Sequence, residues 1–122
     1  MIKLVFCLRR RPEMSREEFQ RYWREQHAPL VQSKAETLRI QRYVQVHSMP
    51  AEANVALRES RSAPEEFDGV AELWWKSMED LAAASSTDEG RAAGRELLED
   101  ERKFIDLERS PLWMAEEHQF IG

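Results

Sequence analysis

The run Ile2-Lys3-Leu4-Val5-Phe6-Cys7-Leu8 constrains this chain more than any other stretch. It is apolar at almost every position, so a strand built from it has no polar face to give to water and needs cover on both sides. Pro12 ends the run. Ser15 and Glu18 then make a capping box, with Glu17 and Glu18 in the first turn of a helix. That helix carries Phe19, Trp23, Leu30 and, at the margins, Tyr22 and Val31 on one side, with Arg16, Arg21, Arg24 and Glu25 on the rest. Residues 38–48 alternate and are rich in β-branched and aromatic types, which predicts a second strand. Asp68-Gly69 introduces a third over Val70–Lys76, and residues 111–121, apolar on both parities, predict a fourth. Ser77 with Asp80 caps a short helix, and Ser86 or Thr87 caps a longer one running to about Lys103.

The resulting order is βαββαβ, an α+β ferredoxin-like sandwich with four antiparallel strands and both helices on one face. A lone unit of this kind exposes its other sheet face, and its strands then alternate cleanly. The first strand here does not, and the neighbours Trp74 and Trp75 must point to opposite faces. Packing two sheets together in a homodimer is the simplest cover. The 122 residues fit a single domain over 1–122. The connection 49–67, with Pro50 and Pro64, is long for a compact domain and holds one or two helical turns at Ala53–Glu59. It is expected to be the most mobile segment and a candidate lid.

A formal charge of −5 argues against nucleic acid as a partner. Arg9, Arg10 and Arg11 form the only basic run and read as a solvated strand end, with no glycine-rich loop to make a phosphate cradle. Cys7 is the only cysteine; it reads as a small buried hydrophobe and fits a reducing compartment. The first apolar run is too short to span a membrane and has its charges on the wrong side for a secretory signal, so a cytoplasmic protein without membrane partners is expected. His27, His47 and His118 lack zinc spacing, and neither a dinucleotide fingerprint nor a nucleophile elbow is present. No metal and no cofactor are therefore expected.

Several segments together carry a family pattern. Met14-Ser15-Arg16-Glu17-Glu18-Phe19-Gln20-Arg21-Tyr22-Trp23 continues into His27-Ala28-Pro29-Leu30. Arg42-Tyr43-Val44-Gln45, Asp68-Gly69-Val70-Ala71-Glu72-Leu73-Trp74, the acidic stretch from Glu99 to Asp106, and Glu116-Glu117-His118 follow in order. The chain resembles the EthD-like family of the dimeric α/β-barrel superfamily. That resemblance implies a barrel of two sheets with a pocket in each subunit between sheet and helices. It also implies relatives that isomerise lactones, cyclise or dehydrate aromatic polyketide intermediates, or oxidise anthrone-like phenols without cofactor, beside accessory proteins with no assigned reaction.

His27 follows Trp23 by four residues and Phe19 by eight, so it projects at the edge of the apolar face. Pro29 cannot donate to the carbonyl of Glu25, so the helix is expected to end or kink near His27. The helix C-terminal dipole would then favour the imidazolium and burial the neutral ring, a balance that suits a general acid or base. The alternative is a core histidine bonded to a backbone carbonyl. Tyr43, Gln45 and His47 share one strand face, Glu72 and Trp74 another, and Glu116 and His118 a third. With Trp23, Tyr43, His47, Glu72, Trp74 and His118 are the candidate walls of a site for a small hydrophobic ligand; the competing role for several of them is the dimer interface. Three functions follow. The first is a cofactor-independent isomerase or lyase in which His27 moves a proton on an aromatic or polyketide-like carbonyl compound. The second is a cofactor-free monooxygenase, and the third a non-catalytic ligand-binding accessory protein.

Overall fold

Strand β1 (Ile2–Leu8) has no polar face because it lies inside a sheet. In the computed structural model, which describes residues 1–122, it pairs antiparallel with β3 (Gly69–Trp75) on one edge and β4 (Leu112–Ala115) on the other. Strand β2 (Arg42–His47) completes the sheet beyond β3, giving the order β2-β3-β1-β4. The register sorts every side chain. Leu8 faces Gly69, Phe6 faces Ala71 and Leu4 faces Leu73, while Tyr43 and Gln45 oppose Leu73 and Ala71. These residues share the face that takes the helices, where Phe6, Leu8, Ala71, Phe19, Trp23, Phe104 and Ile105 form the core. Lys3, Val5 and Cys7 with Val70, Glu72, Trp74, Arg42, Val44 and Val46 form the opposite face.

Helix α1 (Arg16–Tyr22) starts on the expected capping box: the Glu18 N–H donates to Ser15 Oγ at 3.1 Å, and the Ser15 N–H donates to Glu18 Oε1 at 3.1 Å. Such a cap stabilises a helix by about 0.5–2 kcal/mol. The helix does not stop at Pro29. A π-helical turn (Trp23–His27) leads directly into α2 (Ala28–Lys34). Pro29 offers no N–H and its ring crowds the Glu25 carbonyl, so the turn widens and the Ala28 N–H reaches back five residues to the Trp23 carbonyl. Gln45 Nε2 donates to that same carbonyl at 2.9 Å, pinning the widened turn to β2. The expected kink is thus a bulge within a continuing helix. His27 lies mid-helix, and no helix C-terminus acts on it.

Helices α3 (Glu52–Ser60), α4 (Met78–Ser85) and α5 (Asp88–Glu101) follow, with Ser77 and Thr87 accepting the capping N–H groups of α4 and α5. Beyond α5 the chain turns inward, and Phe104 and Ile105 fill the core. Three expectations need correction. The second strand begins at Arg42 rather than 38, because the chain turns through Arg39 at φ 59° before entering the sheet. The last strand ends at Ala115 rather than 121, because Ala115 already opposes Lys3 and β1 has almost no chain left to pair. The arginine run is not a solvated end. Arg9 stacks on Phe67 at 4.1 Å and donates to the carbonyls of Glu65 and Glu66, while Arg10 and Arg16 both bind the buried carboxylate of Asp68. Burial alone would raise the Asp68 pKa, but these donors and the Arg10 N–H hold it below the ordinary value.

Candidate functional site

Between the sheet and the helices the side chains leave a cavity of about 160 Å³. Leu4, Phe6 and Leu8 of β1 floor it with Ala71, Leu73 and Trp75 of β3, and Trp23, Val31 and Leu97 close it from the helices. Of its 16 lining residues 14 are hydrophobic, so the two that are not, His27 and Glu101, decide what chemistry it can hold. Tyr43 adds a ring that is apolar on its face and carries a hydroxyl at its tip.

The π-helical turn delivers His27 to this wall. The residue is 5% exposed, and its ring lies 5.0 Å from that of Phe104, between centroids. Its Nδ1 sits 2.7 Å from Asp100 Oδ2. The other Asp100 oxygen accepts from the Tyr22 hydroxyl at 2.6 Å, and Lys103 Nζ lies 3.4 Å away. Burial pushes the Asp100 pKa up, but the bonds from Tyr22 and His27 outweigh it and hold the carboxylate ionised. An ionised acceptor at Nδ1 fixes the neutral ring as the Nδ1–H tautomer and leaves Nε2 with its lone pair. Burial lowers the His27 pKa by more than the Asp100 bond and charge raise it, so the ring is neutral at pH 7. No other protein group bonds its Nε2, and no buried side-chain nitrogen or oxygen is left without a partner, so Nε2 opens on the cavity.

Glu101 is the neighbour of Asp100 on α5 and faces the same space with nothing to pair it. Burial, and then the charge of Asp100, push its pKa up to about 7. Tyr43 is pushed up to about 12, chiefly by burial, so it stays a phenol; its oxygen accepts from Gln45 Nε2 at 2.7 Å and its own hydrogen is free to donate.

The structure brings Trp23, His27 and Tyr43 together in this wall. His47 lies on the same sheet face but outside the cavity, stacked on Trp23 at 4.5 Å with its Nε2 2.7 Å from Gln45 Oε1; it backs the wall without reaching the ligand space. Glu72 and Trp74 do not line it. Because Gly69 opposes Leu8, the odd positions of β3 face the helices and the even ones face away, so Trp75 meets the cavity and Trp74 the open sheet face. There Trp74 Nε1 donates to Glu117 at 2.6 Å, and Lys3 binds Glu72 at 2.6 Å. His118 is also outside, on the exposed segment after β4 with only Glu116 beside it. No residue of the connection 49–67 lines the cavity. No three His, Cys, Asp or Glu side chains gather as a metal site would need. No helix is long and apolar enough to cross a membrane.

Tyr22, Asp100 and Glu101 were not singled out by sequence reasoning as site residues. A signal existed: Ala93, Leu97, Asp100, Glu101 and Phe104 fall on one helical stripe, and two adjacent carboxylates in an otherwise apolar stripe are out of place unless they serve a site.

Comparison with known proteins agrees with this architecture. The chain is similar, at TM-score 0.61 and 22% identity, to an EthD-family protein of Bacillus halodurans C-125, with 97% of this chain and 100% of that one covered. A dimeric ferredoxin-like protein from Bacteroides fragilis NCTC 9343, of unknown function, aligns at TM-score 0.58 and 11% identity over 95% of each chain. SnoaB, a cofactor-independent oxygenase from Streptomyces nogalater, aligns at TM-score 0.57 and 12% identity, covering 98% and 95%. These identities speak for the shared fold. No curated protein matches by sequence. The EthD domain model matches residues 11–108, from the turn before α1 to the helical turn before β4, and the chain therefore belongs to the EthD domain family.

Proposed function

We propose that the protein is a homodimeric, cofactor-independent catalyst of proton transfer on a small hydrophobic carbonyl compound, of isomerase or lyase type, with His27 as general acid and base. The observation that carries this reading is the Asp100–His27 pair opening on an otherwise apolar cavity. Asp100 holds the ring so that Nε2 can take a proton from the carbon next to a carbonyl, and the imidazolium that forms stays paired with the carboxylate. The Tyr43 hydroxyl polarises the carbonyl oxygen. That imidazolium returns the proton to another carbon in an isomerisation, or to a departing hydroxyl in a dehydration, and the ring is neutral again. A cavity of about 160 Å³ is close to the ~150 Å³ apolar cavity that accommodates benzene, so it suits one ring with short substituents rather than a fused polyketide. Dimerisation through the open sheet face fits its half-exposed Val46 and Trp113, and the similar fold of a protein that is itself dimeric.

The test follows solvent deuterium entering the methyl group of acetophenone, a one-ring ketone, by NMR. His27→Ala and His27→Gln should each lower exchange by roughly two to four orders of magnitude. Gln should recover melting temperature without recovering rate. A folded His27→Ala protein that still exchanges at the wild-type rate would leave a ligand-binding accessory protein as the better account. Oxygen uptake coupled to turnover would move the assignment to a cofactor-free monooxygenase.

A further inference from the structure

Proton abstraction by His27 leaves a charge problem that the cavity must solve. The enolate oxygen that forms has no lining cation other than the His27 imidazolium made in the same step, and Asp100 already pairs that charge. In a low-dielectric space that arrangement is unfavourable, unless the oxygen receives a proton as the carbon loses one. Tyr43 can share a hydrogen bond but gives up its proton reluctantly, its pKa standing at about 12.

Glu101 is placed to answer this. It is the one other polar side chain of the wall, it lies on the same helix turn as Asp100, and no donor or cation of the protein engages its carboxyl. The titratable groups that face it are His27 from the π-helical turn, Tyr43 from β2, and Asp100 beside it on α5; β1, β3 and β4 present only Leu, Phe, Ala and Trp side chains to the cavity. Burial, and then the charge of Asp100, let a carboxyl held among these keep its proton up to about pH 7. Resting on the proton-transfer reading of His27, we infer that Glu101 is a second catalytic residue, the acid that protonates the carbonyl oxygen while His27 takes the carbon-bound proton, and that the pair selects neutral ligands over carboxylates.

The step balances without an oxidant or any co-reactant. One C–H bond breaks and its proton goes to His27 Nε2; the Glu101 O–H bond breaks and its proton goes to the carbonyl oxygen; the electron pair of the C–H bond becomes the enol C=C bond. The product is a neutral enol flanked by an imidazolium and a carboxylate. Return of both protons, the carbon-bound one to a different carbon, completes an isomerisation and resets both groups. Ligand class follows from the same inventory. A carboxylate ligand would find no resident cation in the cavity, one carboxyl at its wall and a second behind His27, whereas a neutral carbonyl meets two donors, Tyr43 and Glu101.

The experiment combines acetophenone exchange in heavy water with binding of benzamide and benzoate, two one-ring probes of equal size that differ in charge. Glu101→Gln keeps the shape and an N–H donor but has no proton to give. It should bind acetophenone within about threefold of wild type, yet exchange it at least about 100-fold more slowly. Wild-type exchange should fall as pH rises through about 7, and the variant should lack that limb. Benzamide should bind about tenfold or more tighter than benzoate at pH 8. Exchange that survives Glu101→Gln but not His27→Gln overturns the role of Glu101 and leaves that of His27 standing. Wild-type exchange no faster than buffer overturns both. Benzoate bound as well as benzamide, or neither neutral ring bound, overturns the ligand class.

Discussion

Substituting Glu101 by Gln should stabilise the folded protein at alkaline pH and leave it almost unchanged at acid pH. The unfolded chain returns this carboxyl to its ordinary value of 4.5, whereas burial and the Asp100 charge raise it to about 7 in the fold. A folded-state pKa above the unfolded one means that the native protein holds the extra proton. The group's favourable contribution is complete below 4.5 and is lost as pH rises through about 7. At about 1.4 kcal/mol per pH unit, ionising Glu101 in place costs the fold at most about 3.5 kcal/mol, and water entering the cavity reduces that figure. Gln never ionises. Urea unfolding of both proteins at one chain concentration, near pH 5 and near pH 8.5, measures the difference directly. His27 and His47 have depressed pKa values, so their stabilising effect is lost as pH falls below their ordinary 6.5. They titrate in both proteins and largely cancel in the comparison. An equal difference at the two pH values, or a variant less stable at the higher one, would refute the claim that the cavity wall holds a carboxyl against ionisation.

Three further outcomes are expected. Asp100→Asn has one acceptor oxygen where Tyr22 and His27 now use two, so the amide N–H turns toward one of them; ¹⁵N NMR should show His27 moving toward the Nε2–H tautomer, with exchange down roughly 100-fold and stability down about 1–3 kcal/mol. Gly69→Ala would drive a Cβ into Trp23 Cζ3 and place it 2.8 Å from the Val46 carbonyl oxygen, so Trp23 must leave its seat against His47, with a loss of about 1–3 kcal/mol seen in melting and in ligand affinity. Trp113→Glu alters a side chain already 48% exposed in one subunit, so it should leave the subunit folded while sedimentation shifts from about twice 14.4 kDa to the single chain mass.

How far the sequence discloses this protein depends on whether a feature is local. Ser15 with Glu18, Ser77 with Asp80, and Thr87 each act within one helical turn, and each lies where the sequence puts it. The two-sided burial of β1 is equally local, since an uninterrupted apolar run excludes an exposed face. The effect of Pro29 was legible as a break in the hydrogen-bond ladder. Its outcome was not, because a widened turn and a helix end satisfy Pro29 equally well, and the bond that Gln45, twenty-two positions after Trp23, adds to the Trp23 carbonyl of the widened turn is non-local. Strand parity is non-local in the same way. β3 read alone does not say whether Trp74 or Trp75 faces the helices; the Trp23 ring decides it from another element, because it fills the space where a side chain at 69 would stand.

The carboxylates of α5 show why a site can be harder to see than a fold. Asp100 and Glu101 are adjacent in sequence and alike in chemistry, yet they do opposite things. One meets the Tyr22 hydroxyl and the His27 ring and is held ionised; the other, one residue along the same helix, faces the largely apolar cavity without a hydrogen-bond partner, and its pKa is pushed up to about 7. What separates them is the 100° that a helix turns per residue, about 3.6 residues to a turn, and the partners that three distant segments bring to each direction. The π-helical turn at Trp23–His27 brings the imidazole to Asp100. Acid and base in one apolar cavity require that the imidazole pair with Asp100 and leave Glu101 alone. The widened turn at Pro29 is therefore part of the geometry of the site as well as of the course of the chain.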